Sequence, residues 1–169
     1  QDVSCFPIFF SKEELNLLEG SLILGAIEAE IEILRQSYET ICRKLPDVTS
    51  DITFEDYKKT LVLVCSRVYG LPIGGQETTA YVPLADMLNH RTVPQQTRWT
   101  YDSEAEGFSV RALQDLPSGL SITSSYGQRS NTSLFMSYGF VLPHNRYNQV
   151  VLQFELDEDD PYFEFKVQL

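Results

Sequence analysis

Basic residues are scarce in this chain. Thirteen Lys and Arg face 24 Asp and Glu, for a net charge of −11 over 169 residues. That average repels a nucleic-acid backbone, and no basic stripe interrupts it, so nucleic-acid binding is excluded as the main role. A basic protein partner would be attracted instead, although a solvated acidic surface is the plainer reading. Cysteine is also sparse. Cys5, Cys42 and Cys65 form an odd set without a Cys-x-x-Cys pair. This argues against a structural zinc site, and no metal is expected. Cys42 and Cys65 fall in helical patterns and are expected to be buried, reduced thiols, which favours an intracellular compartment, cytoplasm or nucleus. No apolar run reaches the length of a membrane span, and no signal peptide is visible. The chain opens at Gln1 and closes inside an alternating Tyr162–Leu169 pattern without a turn. It therefore reads as a segment of a longer protein, and an organelle signal outside it stays open.

The composition is 43% hydrophobic and 22% charged, which suits one globular domain with a real core. Ser11-Lys12-Glu13-Glu14 is a capping box, predicting a short helix that stops near Gly20. Ile27, Ile31, Leu34, Tyr38, Ile41 and Leu45 then recur at helical spacing until Pro46. Thr53 caps a third helix, with Phe54, Tyr57, Leu61, Val64 and Val68 on one face, ended by Gly70 and Pro72. After Gly74-Gly75 the pattern changes to short strands. Tyr81–Leu84 reads as a strand entering a tight turn. Residues 97–101 and 107–112 read as a hairpin, and residues 120–124 and 150–156 as further strands. Ser130 starts a short helix ending at Gly139, and the acidic run Asp157–Asp160 reads as a loop between strands. Helices first, then mostly antiparallel strands, is an α+β arrangement.

Chemistry-bearing residues concentrate in the second half. Asn89 and His90 follow the bend Pro83-Leu84-Ala85-Asp86-Met87-Leu88. An amide and an imidazole beside a bend can serve a small zwitterionic ligand, or they can be a turn with a helix cap. Tyr126 sits in Ser125-Tyr126-Gly127 at a strand end, where Gly permits a sharp turn; the alternative is a buried core tyrosine. Tyr138-Gly139-Phe140 closes a helix, as functional rings or simply as core around a terminating glycine.

In order and spacing, these three pieces resemble the SET-domain protein methyltransferases, in the branch typified by the Rubisco large-subunit lysine methyltransferase. The resemblance runs from Phe6 to about Phe165. It implies a β-clip-like SET domain, incomplete at its N-terminus, with residues 1–75 as its helical insertion and 76–156 as its C-terminal half. Residues 157–169 would be an acidic loop and the start of a following strand or domain. It implies S-adenosyl-L-methionine as cofactor, gripped by Arg67, Asp86, Met87, Leu88, Asn89, His90, Tyr138, Gly139 and Phe140. It makes Tyr126 the catalytic residue, at the mouth of a channel for the acceptor amine. Tyr69, Asp86, Trp99, Tyr101, Arg129 and Tyr138 would line the substrate side, with Arg129 available to read an acid beside the target. The expected activity is protein-lysine N-methylation. Transfer to a histidine or N-terminal amine, or an inactive module that docks proteins, are the alternatives. The chain departs from the pattern in having no Gly-x-Gly motif, which the upstream half of the family domain carries.

Overall fold

The computed structural model describes residues 2–102, 104–152, 156–157 and 159–167. Helix α1 (Lys12–Asn16) begins with the capping box read from the sequence: Ser11 Oγ accepts from the Glu14 amide, and Glu14 accepts from the Ser11 amide. Glycine 20, at φ +80°, then turns the chain. Helix α2 (Leu22–Lys44) follows, capped by Ser21. Pro46 ends it but also opens a single turn, α3 (Pro46–Thr49), an N1 position that costs proline nothing. Helix α4 (Phe54–Cys65) starts at Thr53 in a second reciprocal capping box, with Asp56.

The core lies where these helices meet the N-terminal 3-10 turn Pro7–Phe9. Ile27 is fully buried and packs with Ile8 and Leu34, and Leu61, Val62 and Met136 close around them. Lys58 is buried beside this cluster. Its ammonium donates to Ile8 O at 3.3 Å, pairs with Glu55 at 3.0 Å and lies 4.9 Å from the Phe9 ring. The N-terminal segment is thereby tied to α4 through a charge that keeps both a polar partner and aromatic faces.

Helix α4 ends earlier than its apolar spacing suggests. Val68 to Ile73 form strand β1, which pairs antiparallel with β2 (Gln76–Tyr81). Gly74 and Gly75, both at positive φ, make the connection. Two β-branched or aromatic residues, Val68 and Tyr69, thus extend a hairpin rather than a helix. The strand expected at Tyr81–Leu84 is the end of β2 followed by a turn, with Leu84 at φ +74°. A 3-10 turn, Ala85–Met87, leads to β3 (Asn89–His90), which runs parallel to β6 (Thr123–Ser124). Of the strand predicted over 120–124, only those last two residues pair.

The hairpin β4 (Thr97–Asp102) with β5 (Gly107–Ala112) agrees with the sequence reading. Buried Gln96 fastens it to β6: its Oε1 accepts from both the amide and the hydroxyl of Thr123, while Thr97 Oγ1 donates to Thr123 O. Helix α5 (Asn131–Tyr138) has the expected Ser130 cap and ends at left-handed Gly139.

Near the C-terminus the expectations need correction. Residues 150–152 carry no regular structure and are exposed; 153–155, the rest of the predicted strand, lie outside the described residues. Phe163–Lys166 is a helical turn, α6, not a strand. Asp160 accepts from the Tyr162 amide and pairs with Lys166, so a local turn and an ion pair override the alternating pattern. The acidic run therefore leads into a helix. Among the cysteines, Cys42 is half-buried and Cys5 and Cys65 are exposed; all three are free. Cys65 ends α4, where its apolar face has run out. No helix among the described residues is long and apolar enough to cross a membrane.

Candidate active site

Two short strands assemble the site. Parallel pairing of β3 with β6 sets His90 beside the segment after Ser124, 36 residues away in sequence. The Tyr126 amide donates to His90 Nδ1 at 3.0 Å. The ring is therefore the neutral tautomer with its proton on Nε2. Burial, and then the nearby Arg129 charge, push the His90 pKa below its ordinary value. His90 Nε2 is buried without a hydrogen-bond partner among the described residues.

Gly127, at φ +100°, turns the chain directly after Tyr126. The Tyr126 hydroxyl donates to Leu88 O at 2.8 Å. Burial raises its pKa, so it stays protonated at neutral pH. Its lone pairs are left as acceptors. Around it stand His90 (ring centroids 5.0 Å apart), Tyr138 (4.7 Å) and Phe140 (6.4 Å). Gly139 is required between the last two. A Cβ there would lie 2.8–2.9 Å from Cys5 atoms, so the N-terminal segment packs directly against the backbone at this point.

Asp86 holds the other side. Its carboxylate, 5% exposed, pairs with Arg67 at 2.9 Å and accepts from the Tyr81 hydroxyl at 2.8 Å. The Tyr81 hydrogen bond, then Arg67, keep the Asp86 pKa below the usual carboxylate range. Arg67 also donates to Asp86 O. It stands in the turn after α4 rather than on the helix, which lets it reach across to the 3-10 turn. Tyr69, on β1, donates to Ala85 O at 2.7 Å and meets Trp99 and Phe108 edge-on at 5.5 and 5.0 Å.

Two clefts share these walls. The first, about 520 Å³, is lined by Tyr69, Leu88, Arg98, Trp99 and Arg129. The second, about 370 Å³, is lined by Cys5, Phe6, Met87, Asn89 and Phe140. Arg67, Asp86, Tyr126 and Tyr138 line both. The Asn89 side chain opens into the second cleft without a partner in the described structure. Most of the sequence-predicted residues are thus brought together.

Two expectations change. Tyr101 faces Phe108 across the hairpin and is not among the residues lining either cleft. Arg129 is turned inward: Nε donates to Tyr126 O at 2.9 Å, a terminal nitrogen reaches Ser133 Oγ, and the guanidinium lies over Tyr138. Sequence reasoning missed Tyr81, Gln96, Phe108 and the pair Asn131–Asn145. Asn145 Nδ2 donates to Arg129 O and to Asn131 Oδ1, and Asn131 makes two bonds with the Leu142 backbone. Only Tyr81 and Phe108, both on predicted strands, gave a signal.

With this geometry the chain superposes on the SET domain of LSMT bound to lysine and AdoHcy, at a TM-score of 0.76 and 22% identity, over 98% of this chain and 40% of that one. Rubisco LSMT bound to AdoMet gives 0.74 and 24%, over 98% and 39%. The chain has the SET fold. No protein-family model matches it. Curated relatives carry the same SET-fold resemblance into sequence. The ribosomal lysine N-methyltransferase set10 of Schizosaccharomyces pombe is 26% identical over 96% of this chain and 30% of its own length. The chloroplastic [fructose-bisphosphate aldolase]-lysine N-methyltransferase of Arabidopsis thaliana is 28% identical over 96% and 36%. The actin-histidine N-methyltransferase of Mus musculus is 26% identical over 96% and 29%. The resemblance read from the motifs is borne out, and the chain spans about a third of the length of these relatives.

Proposed function

We propose that this SET-fold chain is part of an S-adenosylmethionine-dependent protein methyltransferase acting on a lysine side chain. Residues 1–75, expected as the helical insertion, end in strand β1 and bring Arg67 and Tyr69 to the site, and the segment from 76 onward supplies the rest of it. The observation that carries this reading is the pair of clefts with Tyr126 and Tyr138 in the wall of both. A transfer between two reactants needs two entrances that meet at one point.

The second cleft suits the cofactor. Its unpartnered Asn89 amide can bond an ammonium or carboxylate, Phe140 and Phe6 offer apolar faces, and the buried His90 beside it keeps an unused N–H. Arg67, Asp86 and Met87 complete the lining that would hold it, while Leu88, also expected there, lines the first cleft. When bound, S-adenosylmethionine supplies a methyl group activated by a sulfonium.

The protein's own contribution is to align a neutral amine. Aromatic walls from Tyr69, Trp99 and Tyr138 fit the alkyl stem of lysine and an open first cleft admits it. A lysine with pKa about 10.4 is mostly protonated in water at neutral pH. Among residues lining the first cleft, Arg67, Arg98 and Arg129 outnumber Asp86. That positive balance favours the uncharged amine. The Tyr126 hydroxyl, held by Leu88 O, then accepts from the amine or from a polarised methyl C–H. Correct alignment of this kind is worth about 7–11 kcal/mol in favourable cases. The whole chain's negative charge would draw in a basic protein, and three cysteines free of disulfides suit an intracellular compartment, cytoplasm or nucleus.

Histidine is the second reading, because the relatives include actin-histidine methyltransferases. The test is methyl transfer from tritiated S-adenosylmethionine to a library of lysine- and histidine-containing peptides, with mass spectrometry locating the methyl. Transfer to lysine Nζ that Tyr126→Phe loses is the expected result. Transfer undiminished in that variant would remove Tyr126 from its role. No transfer to either residue would leave the SET fold as a docking module.

A further inference from the structure

The first cleft reverses the charge of the molecule around it. The chain carries −11, yet the residues lining this cleft include three arginines and one carboxylate. Two of the arginines are committed: Arg67 to Asp86, and Arg129 to Tyr126 O and Ser133 Oγ. Arg98 is not. It is exposed, and neither an ion pair nor a side-chain hydrogen bond holds it among the described residues.

Its cross-strand partner makes the position more unusual. In the β4–β5 register Arg98 stands directly opposite Arg111, also exposed and without an ion pair among the described residues. Like charges directly opposite each other in an antiparallel pair destabilise it. The neighbouring pair on the same face, Thr100 and Ser109, shows the ordinary solution, a hydroxyl hydrogen bond at 2.9 Å. A planar guanidinium reads a carboxylate through two parallel N–H bonds, and a second guanidinium beside it strengthens the field.

We propose that Arg98, backed by Arg111, binds an acidic side chain that flanks the acceptor residue on the protein substrate. The proposal rests on the methyltransferase reading and names a substrate class for it: acceptors in acidic local sequence. It takes over the acid-reading role that the sequence suggested for Arg129, whose guanidinium is engaged inward. The −11 charge acts on a partner as a whole and at long range, while Arg98 acts on one side chain at contact, so the two do not conflict.

The test uses fluorescein-labelled Gly/Ser peptides with one central lysine flanked on both sides by glutamate or, as the isostere, glutamine. Binding to the full chain is read by anisotropy at low and high salt, and methyl transfer is measured on the same peptides. The glutamate peptide should bind about fivefold tighter, as expected for a rim ion pair, and salt should erase the preference. Arg98→Gln should abolish the preference, Arg111→Gln should weaken it, and Arg98→Glu should invert it. Both residues are exposed, and thermal melts of each variant should show no loss of stability, because like-charge repulsion is relieved. Equal binding of the two peptides, a preference that survives Arg98→Gln, or no binding of either would overturn the proposal. Methyl transfer without a glutamate preference would overturn it while leaving the methyltransferase reading intact. A preference in binding without any transfer would overturn the methyltransferase reading and, with it, the acceptor-flanking role proposed for Arg98.

Discussion

Gly139→Ala separates two costs that usually arrive together. Gly139 lies at φ +74°, a region where a non-glycine residue costs roughly 1–2 kcal/mol. Its added Cβ would also stand 2.8 Å from Cys5 Sγ and 2.9 Å from the Cys5 carbonyl carbon and oxygen. The sulfur can rotate away, but the backbone atoms cannot without moving the N-terminal segment off α5. Overpacking of that sort costs about 1–3 kcal/mol. The total is about 2–5 kcal/mol. Gly119 is the internal control. It sits at φ +81° with nothing within 4 Å of its hypothetical Cβ, so Gly119→Ala should lose only the backbone cost, about 1–2 kcal/mol. Urea unfolding followed by circular dichroism gives both values, provided the m-value is unchanged. Gly139→Ala should also disturb Tyr126, because Tyr138 and Phe140 flank it and both contact that ring. Equal losses at the two glycines would refute the close approach of Cys5 to Gly139.

Two further predictions concern the charged and titrating groups. His90 should titrate below the ordinary 6.5 in an NMR pH series, because burial and then the nearby Arg129 charge disfavour the imidazolium. Its folded pKa is lowered, so the unfolded chain binds the proton first; the stabilisation is complete above about 6.5 and is lost as pH falls through the folded value. A midpoint at or above 6.5 would contradict the burial of the ring beside Arg129. Arg67→Met should lower stability in urea melts, since it strips the paired cation from the Asp86 carboxylate, and Arg67→Met/Asp86→Asn should recover much of that. No recovery in the double variant would mean that Arg67 acts through other contacts.

Much of this fold was legible wherever a local signal decided it. The box Ser11–Glu14, the Thr53 and Ser130 caps and the Gly139 stop all act within one turn, and all appear as read. The β1–β2 hairpin was not foreseen because Val68 continues the apolar spacing of α4, and Gly70 and Pro72 look like helix breakers. The decisive signal was Gly74-Gly75, two positive-φ residues suited to a tight hairpin. At Phe163–Lys166, alternation suggested a strand, but four residues carry little periodic information against one aspartate turn and one ion pair.

The site divides in the same way. Asn89, His90, Tyr126 and Tyr138 could be picked out because they lie in short contiguous motifs. What supports them could not. Gln96 reaches Thr123 across 27 residues, Tyr81 reaches Asp86 across a turn, and Asn145 reaches Arg129 from a loop. A glutamine or asparagine in a polar stretch looks the same whether it is solvated or buried against a distant backbone. Arg129 illustrates the converse: its place beside the site was readable, but its inward hydrogen bonds were set by α5 and not by its neighbours in sequence.

The central claim is that the cleft beside Asn89 holds S-adenosylmethionine against the wall formed by Tyr126. Isothermal titration of that cofactor into the full chain, wild type beside Asn89→Ala and Tyr126→Phe, tests it without needing a protein substrate. The account predicts binding by the wild type, loss of at least tenfold in affinity for Asn89→Ala when a charge-assisted hydrogen bond of about 1.5–3 kcal/mol is removed, and near-normal binding by Tyr126→Phe. No binding by the wild type, or equal binding by Asn89→Ala, would contradict it.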